Sequence, residues 1–391
     1  MPPTGWKEGI RSLVDRMAPF RLDWIQVEVS ALCHGRCLYC PVSLRSRRRE
    51  GSLMSMEVFE RLEPWFSSTG LVFLQGWGEP LLHPRFWEMA QRARSAGAPV
   101  GFTTSGVHLD QASRRALLAS GVEIMGVSLA GASPETHDHF RPGSPLETVN
   151  ANLQALRSEG EAEGRALPDL HLAYLLMAGN LHDLPRAVDL AQRWGAGQIV
   201  VSQLSPVLSA GLEKEALLAR PDRWPQVEAV LDETRERAEE RGIGFHAYGP
   251  GAGWARTTQA GAGVLPPSPG HVGCGPASSP GVGVAPEPTC TENVLGSCFV
   301  SARGDVSPCV TMNLGQGPGI GAGATHWFRG CQAPLPTLVF GTVGETSLRE
   351  IWQSRAARGF REVFRERLAR DVRDTEGLPD PCRRCYKLYQ G

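Results

Sequence analysis

Between residues 24 and 207 the chain alternates two apolar patterns. Short runs dense in Val, Ile, Leu and Phe are separated by stretches in which apolar residues recur every three or four positions. The runs are WIQVEVS (24–30), LVFLQG (71–76), VGFTTSG (100–106), EIMGVSLAG (123–131), LHLAYLLMAG (170–179) and QIVVSQLSPV (198–207). Each reads as a strand buried on both faces. The helical stretches are SMEVFERLEPWF (55–66), with Met56, Phe59, Leu62 and Phe66 on one side, then RFWEMAQRARSAG (85–97), QASRRALLASG (111–121), LETVNANLQALRSEG (146–160) and DLPRAVDLAQRWG (183–195). Glycine closes several of them, as a helix C-terminus favours. Buried strands joined by crossover helices predict an α/β fold with a parallel sheet of six strand–helix units, open or closed into a partial barrel. Either way, reactive groups belong at the C-terminal strand ends.

Past 208 the pattern changes. DRWPQVEAVLDETRERAEER (222–241) is a charged helix and GIGFHAYG (242–249) a short strand. Residues 249–289 are rich in Gly, Pro and Ala without periodicity, as a linker would be. A hairpin is expected over CFVSARGDVSPCV (298–310), turning at Arg303-Gly304-Asp305, and a helix over about 347–369. The organisation expected is an N-terminal extension at 1–23, with Ile10, Leu13, Val14 and Met17 on one helical face, an α/β unit at 24–207, a connector at 208–289 and a small module at 290–391.

The net charge of −1 gives no electrostatic footprint for nucleic acid. No apolar run approaches the roughly 18 residues of a membrane span, and the N-terminus lacks the apolar core of a secretory signal. A cytoplasmic protein without nucleic-acid or membrane partners is therefore expected. In that compartment ten cysteines are not a disulfide framework. They fall into groups: Cys33, Cys37 and Cys40; Cys274, Cys290, Cys298, Cys309 and Cys331; Cys382 and Cys385. Their separation suggests two metal sites.

The first group lies in VSALCHGRCLYCPVS (29–43), where the first strand ends. Its spacing is C-x3-C-x2-C. A structural zinc site wants four protein ligands, and His34, adjacent to Cys33, is poorly placed to complete one. A [4Fe–4S] cluster held by three thiolates leaves one iron open for a small chelating molecule. A zinc or purely structural site is the alternative. The RSRRRE run (45–50) that follows is a solvated loop or a contact for an anionic substrate.

With Tyr39 just before the last cysteine, this segment resembles the radical S-adenosylmethionine (SAM) superfamily, whose fold is a partial (β/α)6 TIM-like barrel. QGWGEPLLHP (75–84) resembles the family's glycine-glycine-glutamate segment, with Trp77 at the first glycine and Gly78, Glu79 and Pro80 matching. FTTSGVHL (102–109) resembles its third-strand element, with Ser105 in place of asparagine, and VSLAGASPETHDHFR (127–141) its fourth-strand element. The resemblance implies that backbone groups near Gly78 and Glu79 hold the SAM amine, that Ser128 faces the ribose and that Arg141 meets the carboxylate. It covers about 24–207. Tyr174, Ser202 and Gln203 are expected at the barrel mouth, and His83, His137 and His139 as structural or exposed.

Cys290, Gly304 and Cys309, followed by Cys382 and Cys385, resemble the SPASM extension of radical SAM enzymes, in a shortened form sometimes called twitch. The four cysteines would hold an auxiliary [4Fe–4S] cluster, with Cys298 a possible substitute for Cys290 and a zinc ribbon the alternative. The resemblance implies an enzyme that cleaves SAM reductively to a 5′-deoxyadenosyl radical. That radical takes hydrogen from a small-molecule or peptide substrate, in a net oxidation or maturation fed by a low-potential flavodoxin- or ferredoxin-type donor. The short N-terminal extension tilts the expectation toward a small molecule, or a peptide delivered by another protein. Peptide-modifying maturase is one alternative; a non-catalytic zinc or iron–sulfur protein is another.

Overall fold

The computed structural model of the chain describes residues 20–44, 53–205, 207, 210–247, 290–314, 325–328, 331–335, 337–370, 377–383 and 385. The N-terminal amphipathic stretch before residue 20, the RSRRRE run, the Gly/Pro-rich linker and Cys274 lie outside the described residues.

Six parallel strands follow one another in space as in sequence: β1 (Trp24–Val27), β2 (Val72–Phe73), β3 (Val100–Thr104), β4 (Ile124–Leu129), β5 (Asp169–Leu176) and β6 (Gln198–Gln203). Their residues are buried almost throughout, which is why they read as apolar runs rather than as alternating ones. The crossover helices start and stop where local chemistry dictates. Ser55 accepts from Val58 N–H ahead of Met56–Leu62, and Asp110 accepts from Ser113 N–H ahead of Gln111–Ser120. Gly121 (φ 65°), Gly164 (φ 62°) and Gly195 (φ 74°) close their helices in the left-handed region. One helix, Pro134–Phe140, was not read from the sequence as an element.

The sheet is longer than six strands. β7 (Gly244–Ala247) adds parallel to β6, with the charged helix Trp224–Glu240 as its crossover. On the far edge, β8 (Ser297–Val300) runs parallel to β1, pairing Ile25 with Cys298 and Val27 with Val300. β9 (Asp305–Ser307) turns back against β8, making the expected hairpin. Beyond it β10 (Thr325–Phe328) and β11 (Cys331–Pro334) form a separate ribbon, and β12 (Gly341–Thr342) pairs with β9. The full order is β12-β9-β8-β1-β2-β3-β4-β5-β6-β7. The hairpin is thus sheet-continuous with the barrel, and the strand read at 242–249 belongs to that sheet rather than to the linker. Open edges explain both: the exposed backbone groups of β1 and β6 need partners.

Inside the curve, Trp24, Leu71, Phe73 and Ile124 form an apolar plug. One strand step toward the C-terminal ends, Gln26, Thr103 and Ser128 line a cavity instead. The helix Leu348–Trp352 opens on a capping box of Ser347 and Glu350, and Arg355–Arg370 follows it. Phe360 and Phe364 of the latter pack with Val294, Met312 and Leu378 into a small second core. Among the described residues no helix is long and apolar enough to cross a membrane.

Candidate active site and second cysteine site

Past β1 the chain stays buried through Val29, Ser30 and Ala31 before it reaches Cys33. The loop is then pinned by backbone bonds. Arg36 N–H donates to Pro142 O at 2.7 Å, Leu38 N–H to Phe140 O at 3.1 Å and Cys40 N–H to Cys37 O at 3.1 Å. Sulfurs surround its glycine: a Cβ on Gly35 would stand 3.3 Å from Cys33 Sγ and 3.6 Å from Cys37 Sγ. Cys40 Sγ lies 3.9 Å from the Trp77 carbonyl. Burial pushes the Cys33 thiol up to about 11 and the Cys40 thiol to about 12. A bound cation would favour the thiolate form of both.

The GWGE turn sits against this loop. Glu79 N–H donates to Leu32 O at 2.7 Å. The buried Glu79 carboxylate accepts from Thr104 Oγ1 and Ser105 N–H, both at 2.7 Å, tying the end of β3 to the turn. Trp77, Gly78 and Glu79 line the cavity, and with its N–H engaged Glu79 is left with its carbonyl oxygen as the backbone group that could meet a ligand.

Arg141 ends the short helix Pro134–Phe140 and is buried. Its Nη1 donates to Tyr39 Oη at 2.6 Å, while its Nε has no hydrogen-bond partner. Burial opposes its charge, but the Tyr39 oxygen and the Cys37 and Cys33 sulfurs hold its pKa above the ordinary value. Burial raises the Tyr39 phenol, so tyrosine donates or accepts here as a neutral group. Arg141, Tyr39, the three cysteines, Glu79, Ser105, Ser128 and Gln203 border one cavity of about 220 Å³. Gln203 is 1% exposed, and neither polar atom of its amide has a partner. Ser202 joins it at the mouth as expected. Tyr174 does not: it is wholly buried among β5's neighbours, and its hydroxyl donates to Asn180 O at 2.9 Å. The alternation along β5 decides this, because Ala173 and Leu175 take the cavity face.

Of the histidines, His83 bonds the Met54 carbonyl at 2.9 Å. His137 is fully buried beneath Arg141, and burial with the Arg141 charge lowers it to about 3. Burial, then the His246 charge, lowers His171 to about 4. Both would titrate near 6.5 once unfolded, so below that pH the unfolded chain binds protons first. Stability then falls with pH by up to about 1.4 kcal/mol per unit for each histidine. Thermal midpoints are expected to drop as pH falls from about 6.5 to about 4, and His171→Gln to flatten that dependence.

Cys290, Cys309 and Cys382 all border the second core. Burial, then the sulfurs of Cys309, Cys385 and Cys290, raise the Cys382 thiol well above the ordinary range, so the four expected cysteines are brought together. Cys298 is not among them. It is buried on β8 with Arg361 as its charged neighbour, and burial pushes it up to about 12. Cys331 falls on β11.

Residues 27–164 match the radical SAM superfamily, and residues 290–386 match SPASM, an iron–sulfur cluster-binding domain. The chain is 26% identical over 380 residues to the AdoMet-dependent heme synthase of Methanosarcina barkeri, a match spanning 95% of this chain and 89% of the relative. It is 26% identical over 364 residues to the PqqA peptide cyclase of Ruegeria pomeroyi, across 92% and 79%. It is also 26% identical over 195 residues to the mycofactocin maturase MftC of Mycobacterium ulcerans, across 48% of each. In three dimensions it resembles SuiB of Streptococcus suis bound to S-adenosylmethionine, with a TM-score of 0.61 and 12% identity, over 91% of this chain and 72% of that one. The chain belongs to the radical SAM superfamily and carries a SPASM domain. It is a radical SAM enzyme whose cofactors are SAM, a [4Fe–4S] cluster and an auxiliary cluster.

The residues present fit those groups. The three N-terminal thiols border one cavity, as donors do when each binds a different iron of a cubane. The Arg141 Nε and the Gln203 amide have no protein partner and belong to residues lining the cavity, where a polar ligand would complete their hydrogen bonds.

Proposed function

We propose that this protein is a peptide-modifying maturase that works by net oxidation of its substrate. The observation that carries the reading is the single cavity in which Cys33, Cys37, Cys40 and Arg141 meet Val310 and Thr311, the residues that follow Cys309. A substrate held there sits between the two cysteine sites. Three thiolates would hold one cluster and leave an iron open, and Cys290, Cys309, Cys382 and Cys385 would enclose the other. Arg141, oriented by Tyr39, would pair with the SAM carboxylate, Ser128 would face the ribose, and the carbonyls of the Trp77–Glu79 turn would accept from the amine. When bound and reduced, the cluster and SAM supply a 5′-deoxyadenosyl radical that removes a hydrogen atom from unactivated carbon. The chain's own part is to orient both partners and exclude water through the buried walls of β3 to β6. A cytoplasmic flavodoxin- or ferredoxin-type donor would provide the electron.

The relatives named for peptide substrates support this reading. The M. barkeri heme synthase, matched along nearly its whole length, favours a second: a step of heme synthesis. Anaerobic incubation with SAM and dithionite separates them. Short peptides encoded beside the gene are expected to lose hydrogen mass, with 5′-deoxyadenosine formed in proportion. Conversion of heme precursors alone would overturn the peptide reading.

A further inference from the structure

Trp77 stands where the family's segment carries its first glycine, and the site described above gives its side chain no role. Its backbone belongs to the SAM side. Trp77 N–H donates to Glu28 Oε1 at 2.8 Å, and its carbonyl faces Cys40 Sγ. Its indole belongs to the other side. Nε1–H is shared between the carbonyls of Val310, at 3.2 Å, and Asn313, at 3.0 Å. Leu314 and Leu335, both buried, pack around the ring. The turn it grips is the one that Cys309 opens, with Met312 N–H donating to Cys309 O at 3.2 Å. Glu28 adds a second tie: Oε2 accepts from Ala302 N–H, at 3.3 Å, in the turn between β8 and β9.

We infer that Trp77 is a positioning residue that locks the Cys309–Asn313 turn, and with it the Val310–Thr311 wall of the cavity, to the loop carrying Cys40. A glycine at this position has no side chain to reach across. The indole supplies both the reach and a donor for the Asn313 carbonyl and for the Val310 carbonyl, which also accepts from Asn313 N–H at 3.1 Å. The auxiliary cysteine site would then hold a fixed place relative to the first, set by one side chain. The part concerning the second cluster rests on the reading of Cys290, Cys309, Cys382 and Cys385 as its ligands.

Trp77→Phe keeps an aromatic ring and removes the donor; Trp77→Gly restores the family's residue. Hydrogen exchange on the full chain is expected to run about tenfold faster across 309–314 in Trp77→Phe, with the β8 amides unchanged, and faster still in Trp77→Gly. Introduced into a Cys33/Cys37/Cys40→Ala background, Trp77→Phe is also expected to alter the electron paramagnetic resonance spectrum of the remaining cluster, which loss of packing elsewhere would not do. Unchanged exchange at 309–314 in Trp77→Phe overturns the inference, and so does an acceleration spread evenly over the barrel strands. Where the wild-type chain holds one cluster only, the reading of the second site fails, and the exchange result still decides the role of Trp77.

Discussion

Replacing Cys33, Cys37 and Cys40 together with alanine is expected to abolish 5′-deoxyadenosine formation from SAM while leaving the second cluster in place. The reconstituted wild-type chain should hold about eight irons and eight sulfides, and the triple variant about four of each. The separation of the two sites is the reason. The N-terminal thiols line the barrel cavity, whereas Cys290, Cys309 and Cys382 pack around Phe360 and Phe364. Iron and sulfide analysis, with chromatography of the SAM products after dithionite reduction, checks both parts. A triple variant that still cleaves SAM would remove the three cysteines from the site.

Gly78→Ala is expected to be nearly as damaging although it changes no ligand. A Cβ there would stand 2.3 Å from Ser30 O, 2.6 Å from Leu32 O and 2.7 Å from the Ala31 carbonyl carbon. All three are backbone atoms of the segment leading into Cys33, and the bond from Glu79 N–H to Leu32 O holds the two chains at that distance. No rotamer change relieves the contact. The turn and the cysteine loop must part, at a cost of about 3 kcal/mol or more. Denaturant unfolding should show that loss, and iron content should fall by about half as the first site loosens. A Gly78→Ala chain with wild-type stability and iron would refute the close approach.

Much of this was legible in the sequence because burial leaves a strong trace. Strands covered on both faces must be apolar along their length, so β3 to β6 stand out from the text alone. The cysteine loop was singled out by its spacing and Arg141 by the family resemblance alone, and the structure sets both on one cavity. Other features left no local signal. β2 shrinks to Val72–Phe73 although six residues read as strand, because pairing on both sides rather than propensity sets its ends. β8 reads as half of a hairpin, and nothing in Ser297–Val300 says that its other neighbour is β1, about 270 residues earlier in the chain. Tyr174 was assigned to the mouth from its strand, but alternation along β5 needs the register to be read. The indole contacts of Trp77 bridge sequence separations of 233 and 236 residues, and a pattern of neighbours carries no trace of that.

The pairing of β8 with β1 makes the two parts of the protein share one sheet. Because the cluster-binding extension is woven into the flank of the catalytic scaffold rather than strung behind it, neither half presents a finished surface without the other. Each part therefore covers an open edge of the other, and detaching the extension is expected to bare the backbone groups of β1.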